Sequence, residues 1–188
     1  MIKVPNSADL DRIVSLHYNS LKDGVLYYLG KGVLRIFYKE ILTDKDSILL
    51  AYIKRNKILG VAASTKNTSR LFNKIKLKYP HRLAVAVLKK SPKDPLLLPR
   101  LLFSRYSSLI KPELLFLFVD PYSRGKGIGK TLVKATSNKF KKMGIKKYKI
   151  TILSSNIKGK EFYCKFGFKK SGSYKFMNEK RDILTLDI

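Results

Sequence analysis

The chain has 188 residues, 45% of them hydrophobic, enough to bury one core, and a single domain over residues 1–188 is expected. Lysine and arginine number 40 against 13 aspartates and glutamates, a net charge of +27. That balance suits anionic partners such as phosphate-rich cofactors, nucleic acid or acidic membrane, or else a solvated lysine-rich surface. One cysteine, Cys164, rules out an internal disulfide, and with His17 and His81 as the two histidines no metal site is expected. The N-terminus MIKVPNSADLDRI lacks a signal-peptide-like apolar run. Apolar stretches such as LLFLFV are too short to cross a bilayer as a helix, so a cytoplasmic setting is the default expectation.

In chain order, Met1 to Val4 suits a short strand and Pro5-Asn6-Ser7 a turn, with Asp9 and Asp11 placed for a helix N-terminus. Leu10, Ile13, Val14, His17 and Leu21 keep a helical period, so the first helix should span roughly 7–21 and end by Gly24. A second helix follows Gly32, with Val33, Leu34, Phe37, Tyr38, Ile41 and Leu42 on one face. SILLAYIK and KILGVAAST read as a β-hairpin turning at Arg55-Asn56. Residues 68–110 alternate basic and apolar side chains, and prolines at 80, 92, 95 and 99 should divide them into two or three short helices, an insertion in the same domain.

The last third is the most regular. ELLFLFV is a strand, RGKGIG a turn, and TLVKATSNKFKKMG a helix with Leu132, Val133, Thr136, Phe140 and Met143 inward and Gly144 as its stop. YKITIL is a further strand, SNIKGKEFYCKFG a helix, and FKKSGSYKF with RDILTLDI a terminal strand pair.

The stretch RGKGIGKT ends as a Walker A loop would, but Arg124 stands where that loop needs its first glycine. The dinucleotide pattern G-x-G-x-x-G fails too, because its third glycine would be Lys130. A strand entering a glycine turn that opens a helix nevertheless makes an anion site from converging N–H groups and the helix dipole. Gly125, Gly127 and Gly129 would let a ligand come close to the backbone.

VDPYSRGKGIGKTL resembles the acetyl-coenzyme A signature of the GNAT N-acetyltransferases: Arg or Gln, two residues, Gly, one residue, Gly or Ala, here Arg124, Gly127 and Gly129. Downstream, NIKGKEFYCKFGFKK is similar to that family's second motif through Asn156, Gly159, Tyr163 and Gly167-Phe168. The resemblance covers residues 113–170 closely and the N-terminal third in outline. It implies an α/β fold: a mixed, mostly antiparallel twisted sheet, splayed near Gly127, flanked by helices, with a helical insertion before the cofactor strand. It also implies direct acetyl transfer from acetyl-coenzyme A to an amine, without a metal.

By that resemblance, the amides of Arg124, Gly125, Lys126, Gly127, Ile128, Gly129 and Lys130 would cradle the pyrophosphate. Main-chain groups of Phe118 and Val119 would pair with the pantetheine arm, and an N–H near Val119 would polarise the thioester carbonyl. Asn156 would hold the pantetheine or order the helix behind it. Tyr163 would be the general acid, unless it is a packing tyrosine beside Phe162 and Phe166. Glu113, where some members place a glutamate, is the candidate base; its alternative is a carboxylate paired with a lysine. His17 and a water relay are rivals for the base, and Cys164 is read as packing, turned away from Tyr163.

Residues 18–40 should wall the acceptor pocket. Within them the pattern LG-x-G-x-L-x-x-FY, Leu29 to Tyr38, is similar to GNAT proteins of surface-polysaccharide pathways. That likeness implies an amino-sugar acceptor, nucleotide-linked if the basic insertion meets its phosphates. A protein lysine or N-terminus is the alternative acceptor. A non-catalytic nucleic-acid-binding protein on the same core is the remote one; no nucleic-acid motif is present, so nucleic acid is not the expected partner. The expected state is a monomer or homodimer.

Overall fold

The computed structural model describes residues 1–22, 24–90, 110–176 and 179–188. Their elements are β1 (Ile2–Lys3), a 3-10 turn (Ser7–Asp9), α1 (Leu10–Ser20), α2 (Gly24–Leu29), α3 (Lys31–Thr43), β2 (Ser47–Lys54) and β3 (Lys57–Thr65). Then come α4 (Thr68–Lys78), α5 (Pro80–Leu88), β4 (Glu113–Val119), α6 (Ile128–Lys142), β5 (Lys147–Leu153), α7 (Ile157–Cys164), β6 (Lys169–Phe176) and β7 (Glu179–Asp187). The described strands form one seven-stranded sheet in the order β1-β2-β3-β4-β5-β7-β6. Only β4 and β5 are parallel neighbours among them.

Local chemistry accounts for the element ends. Asn6 and Asp9 form a reciprocal capping box at the first turn. Arg55 and Asn56 both take left-handed φ values, 47° and 60°, as a two-residue hairpin turn needs to match strand twist. Gly144, at φ 74°, stops the chain after α6. One expectation needs correcting: α1 ends at Ser20, and Gly24 (φ 82°) opens the separate helix α2 rather than closing the first. The six residues Gly24–Leu29, opened by one positive-φ glycine and followed by another, Gly30, are too few for a helical period to show in the sequence.

The sheet separates two cores. On one face α1, α3 and α4 bury Ile13, Phe37 and Leu71 against Leu49, Ala63 and Phe118. On the other, α6 buries Leu132, Val133 and Phe140 against Ile48, Leu114, Tyr148 and Leu184. Of the described part of the insertion, α4 and α5, it is α4 that is tied to α3 by charge. Buried Glu40 accepts from Lys78 at 2.8 Å and from the Tyr79 hydroxyl at 2.8 Å, and pairs with Lys74 at 3.4 Å. Arg70 adds Asp44 at 3.0 Å and Asp46. Residues 91–109, the rest of the expected insertion, lie outside the described residues.

Strand β4 departs from regular pairing on both of its edges. Its ladder with β3 slips between Ala63↔Phe116 and Ser64↔Leu114, so Leu115 faces no residue of β3 and forms a bulge. Its register with β5 consists of one pair, Glu113↔Lys149, backed by the Lys149 N–H donating to the Pro112 carbonyl at 3.0 Å. Past that point β4 keeps to β3 while β5 keeps to β7 along its whole length, so the two strands open into a V.

Gly60 of β3 lies under the first turn of α6, where a Cβ would stand 2.9 Å from Ile128 Cγ2 and 3.2 Å from the Phe118 carbonyl. Gly60→Ala should therefore destabilise the fold by about 1–3 kcal/mol, through overpacking at a site that cannot yield on its backbone side. Urea unfolding of the variant beside the natural protein checks this; equal midpoints would show that α6 is free to shift.

Candidate active site

The chain leaves β4 through a 3-10 turn (Pro121–Ser123) and enters α6 through Arg124 to Gly127. Gly125 (φ 76°) and Gly127 (φ 74°) sit in the left-handed region, and nothing lies within 4 Å of where their Cβ atoms would be. The turn therefore presents open backbone at the N-terminus of a fifteen-residue helix, whose first N–H groups have no intrahelical acceptor. No Asp or Glu occurs between Asp120 and Glu161, a stretch rich in lysine, so the surrounding field is positive. That acid-free run was readable in the sequence, and it marks the anion site independently of any motif.

The other glycine of the signature has a different use. A Cβ on Gly129 would stand 3.3 Å from Phe162 Cζ, so its bareness admits the α7 ring rather than a ligand. Arg124 points its guanidinium at two carbonyls, Val119 at 3.4 Å and Ser20 at 3.5 Å, linking the turn to the end of α1. Lys126 folds back onto the Tyr122 carbonyl at 3.1 Å.

At the closed end of the V stands a buried polar cluster. Glu113 is 5% exposed and Lys149 1%, and their charged groups lie 3.7 Å apart. Thr68 of α4 donates to one carboxylate oxygen at 2.7 Å, and Thr151 of β5 to the other at 2.9 Å. Burial pushes the Glu113 carboxyl above its ordinary pKa, against the pull of Lys149 and the two hydroxyls. The same burial draws the Lys149 ammonium below its usual value. Glu113 is thus a lysine-paired carboxylate by geometry, and it also lies on the sheet face that carries α1, α3 and α4.

Tyr163 lies on the opposite face, in the second core, with its ring 5.3 Å from Phe168 and 5.0 Å from Phe162. Burial, with the neighbouring Tyr148 adding to it, pushes its pKa well above the ordinary value, so its hydroxyl keeps its proton. Tyr163 and Glu113 thus lie on opposite faces of the sheet. Val119 does not join them. It and Glu113 end a seven-residue strand, so they stand about 20 Å apart at the usual strand rise. Val119 lies beside the glycine turn, and Leu115, with its bulge, lies nearer the closed end.

Asn156 caps α7, its side chain accepting from the Gly159 N–H at 2.9 Å. Gly159 packs closely there: a Cβ would come within 2.6 Å of Ile152 Cδ1, so Ile152 would have to move. Cys164 corrects an expectation: it is exposed rather than packed, since it ends the last turn of α7 on the solvent side. His17 is fully buried, shares a 2.6 Å hydrogen bond with the Tyr38 hydroxyl, and lies 4.7 Å from the Phe116 ring. Burial lowers its pKa to about 4, too low for it to hold an amine's proton at neutral pH. Lys149, Thr151 and Thr68 were missed in the sequence, although YKITIL does place Lys149 and Thr151 on one strand face and Tyr148, Ile150 and Ile152 on the other. Among the described residues no helix is long and apolar enough to cross a membrane, and no cluster of three or more His, Cys, Asp or Glu could hold a metal ion.

Residues 106–182 match the family model described as an acetyltransferase (GNAT) domain. The paiA N-acetyltransferase from Thermoplasma acidophilum, solved in complex with coenzyme A, is 18% identical, with a TM-score of 0.66 over 100% of this chain and 98% of its own. A ribosomal-protein-alanine N-acetyltransferase from Brucella melitensis is 14% identical, with a TM-score of 0.67 over 100% and 99%. An N-acetyltransferase from Staphylococcus aureus is 17% identical, with a TM-score of 0.65 over 100% and 97%. No curated protein matches the sequence. The chain has the GNAT fold, and the family match runs through β4, the glycine turn, α6, β5, α7 and most of the terminal hairpin.

The state of His17 sets a pH dependence of stability. Its folded pKa, about 4, lies below the ordinary 6.5, so the folded state favours the neutral ring. Its stabilising effect is complete above pH 6.5. As pH falls towards 4 the unfolded chain takes up the proton first, and about 3 kcal/mol is lost. Urea unfolding between pH 7.5 and 4 should show this slope, and His17→Phe should flatten it.

Proposed function

We propose that the protein is an acetyl-coenzyme A-dependent N-acetyltransferase, working as one domain in the cytoplasm and acetylating a primary amine by direct transfer. The observation that carries this reading is the V between β4 and β5 opening onto a bare, positively charged glycine turn at the start of α6. An extended arm fits the V as an added strand, and a pyrophosphate fits the turn. The coenzyme A in the Thermoplasma protein of the same fold supports the choice of ligand.

Bound there, acetyl-coenzyme A would supply an activated acetyl thioester. The amides from Arg124 to Lys130 would hold its pyrophosphate, and the main chain of Phe118 and Val119 its pantetheine arm. Because Val119 lies about 20 Å from Glu113 by strand rise, we assign polarisation of the thioester carbonyl to the backbone near the Leu115 bulge instead. Glu113, on the face of α1 and α3, would take the proton of the incoming amine, and Tyr163, on the opposite face, would give one to the departing sulfur. Acid and base on opposite faces suit a reaction in which the amine loses its proton on one side as it adds to the thioester and the thiolate gains one on the other as it leaves.

The acceptor proposed first is an amino sugar, on the resemblance of Leu29 to Tyr38. A protein N-terminus is the second, since a ribosomal-protein-alanine N-acetyltransferase shares the fold. An acetylation screen of amino sugars beside short peptides separates them.

Calorimetric titration at about 0.3 M salt, which suppresses diffuse charge attraction, tests the cofactor site. Acetyl-coenzyme A and desulfo-coenzyme A should bind and ATP should not bind comparably. Gly127→Asp should abolish binding, by forcing a side chain onto a positive φ and setting a carboxylate on the anion site; retained affinity would sink this reading of the turn. Tyr163→Phe should keep the affinity and lower turnover by about 100-fold or more. An unchanged rate would remove Tyr163 from the mechanism.

A further inference from the structure

Glu113 and Lys149 bring two charges into the sheet where a pair of apolar side chains would be at least as stable. Removing a carboxylate and an ammonium from water is costly, and their attraction seldom returns more than that cost. Lysine is almost never fully buried unless it is paired. Here the two residues are also the register pair at which β4 and β5 meet, so the charges sit at the closed end of the V. We infer that Lys149 is a positioning residue for the transfer reaction: its ammonium favours the ionised form of the Glu113 carboxylate and fixes its place at the closed end of the V, where it takes a proton from the acceptor amine. The inference rests on the reading of Glu113 as the base.

The surroundings of Glu113 fit that role. From α4 and β5 the neutral hydroxyls of Thr68 and Thr151 donate to its two oxygens. From β6, Tyr174 reaches Thr151 and feels the carboxylate, with Arg181 of β7 acting on Tyr174 in turn. Lys149 is therefore the cation that faces Glu113 directly among the described residues. Without it the carboxylate would stay protonated to higher pH, and a protonated carboxyl cannot take a proton from an amine.

The chain has four glutamates, so Glu113 can be followed by carbon NMR of glutamate-labelled protein bound to desulfo-coenzyme A, its signal assigned by loss in Glu113→Gln. Lys149→Met should raise the Glu113 titration midpoint by about one pH unit or more. The acid limb of kcat/KM for thiol release from acetyl-coenzyme A, with glucosamine as first acceptor, should move with it. The acceptor's own ionisation is common to both proteins and cancels in the comparison. Lys149→Arg should bring both quantities back towards the natural values. Lys149→Gln, which removes the charge and keeps a polar end, gives a second route should Lys149→Met fail to fold. A midpoint that does not move overturns the inference while leaving Glu113 as base. A midpoint that moves without the rate limb removes Glu113 from the base role and the inference with it. Calorimetry of coenzyme A binding is independent of both outcomes.

Discussion

The separation of β4 from β5 is the constraint around which the rest of the molecule is arranged. In a continuous sheet the facing N–H and C=O groups of two neighbouring strands satisfy each other. Here the strands meet at Glu113 and Lys149 and then diverge, which leaves backbone that water or an extended ligand must satisfy. Such an opening persists only if each strand is held firmly on its other side. The long antiparallel ladders of β4 with β3 and of β5 with β7 supply that hold.

The two cores follow from the same division. The α1, α3 and α4 layer braces one face of β3 and β4, and α6 crosses beneath β2, β3 and β4 on the other. The start of α6 is fixed by the close approach of Ile128 to Gly60, so the glycine turn is presented at a set height above the open end of the V. α7 is fixed by contacts of the same kind. Asn156 caps it, Gly159 meets Ile152, and Phe162 meets Gly129. The spacing of the second motif thus describes how one helix packs before it describes any chemistry.

Charge is distributed unevenly, and the unevenness is informative. The acidic residues of α3 and of the α3–β2 connection are consumed in docking α4, through Glu40, Asp44 and Asp46. The chain from the glycine turn to α7 has none, which leaves its lysines to act on whatever anion binds there. Against that exposed excess, the buried Glu113–Lys149 pair is the exception: two charges held out of water, where the dielectric gives their interaction more weight.

Local signals in the sequence determined most of the elements. Short apolar runs marked β2, β3 and β5, the helical period marked α1, α3 and α6, and Arg55-Asn56 and Gly144 marked a turn and a stop. The anion site was legible for the same reason, since a strand, glycines and a helix start are consecutive in the chain. α2 was not legible, because a six-residue helix that begins at one glycine and stops before the next carries no usable period. Nor were the partners of Glu113: Thr68, Lys149 and Thr151 come from separate elements, and only the register of β4 on β5 brings them together. Which face each side chain occupies, and so whether Glu113 and Tyr163 stand side by side or across the sheet, depends on the bulge at Leu115 and on strand pairing. Those are long-range contacts, and the tertiary structure alone decided them.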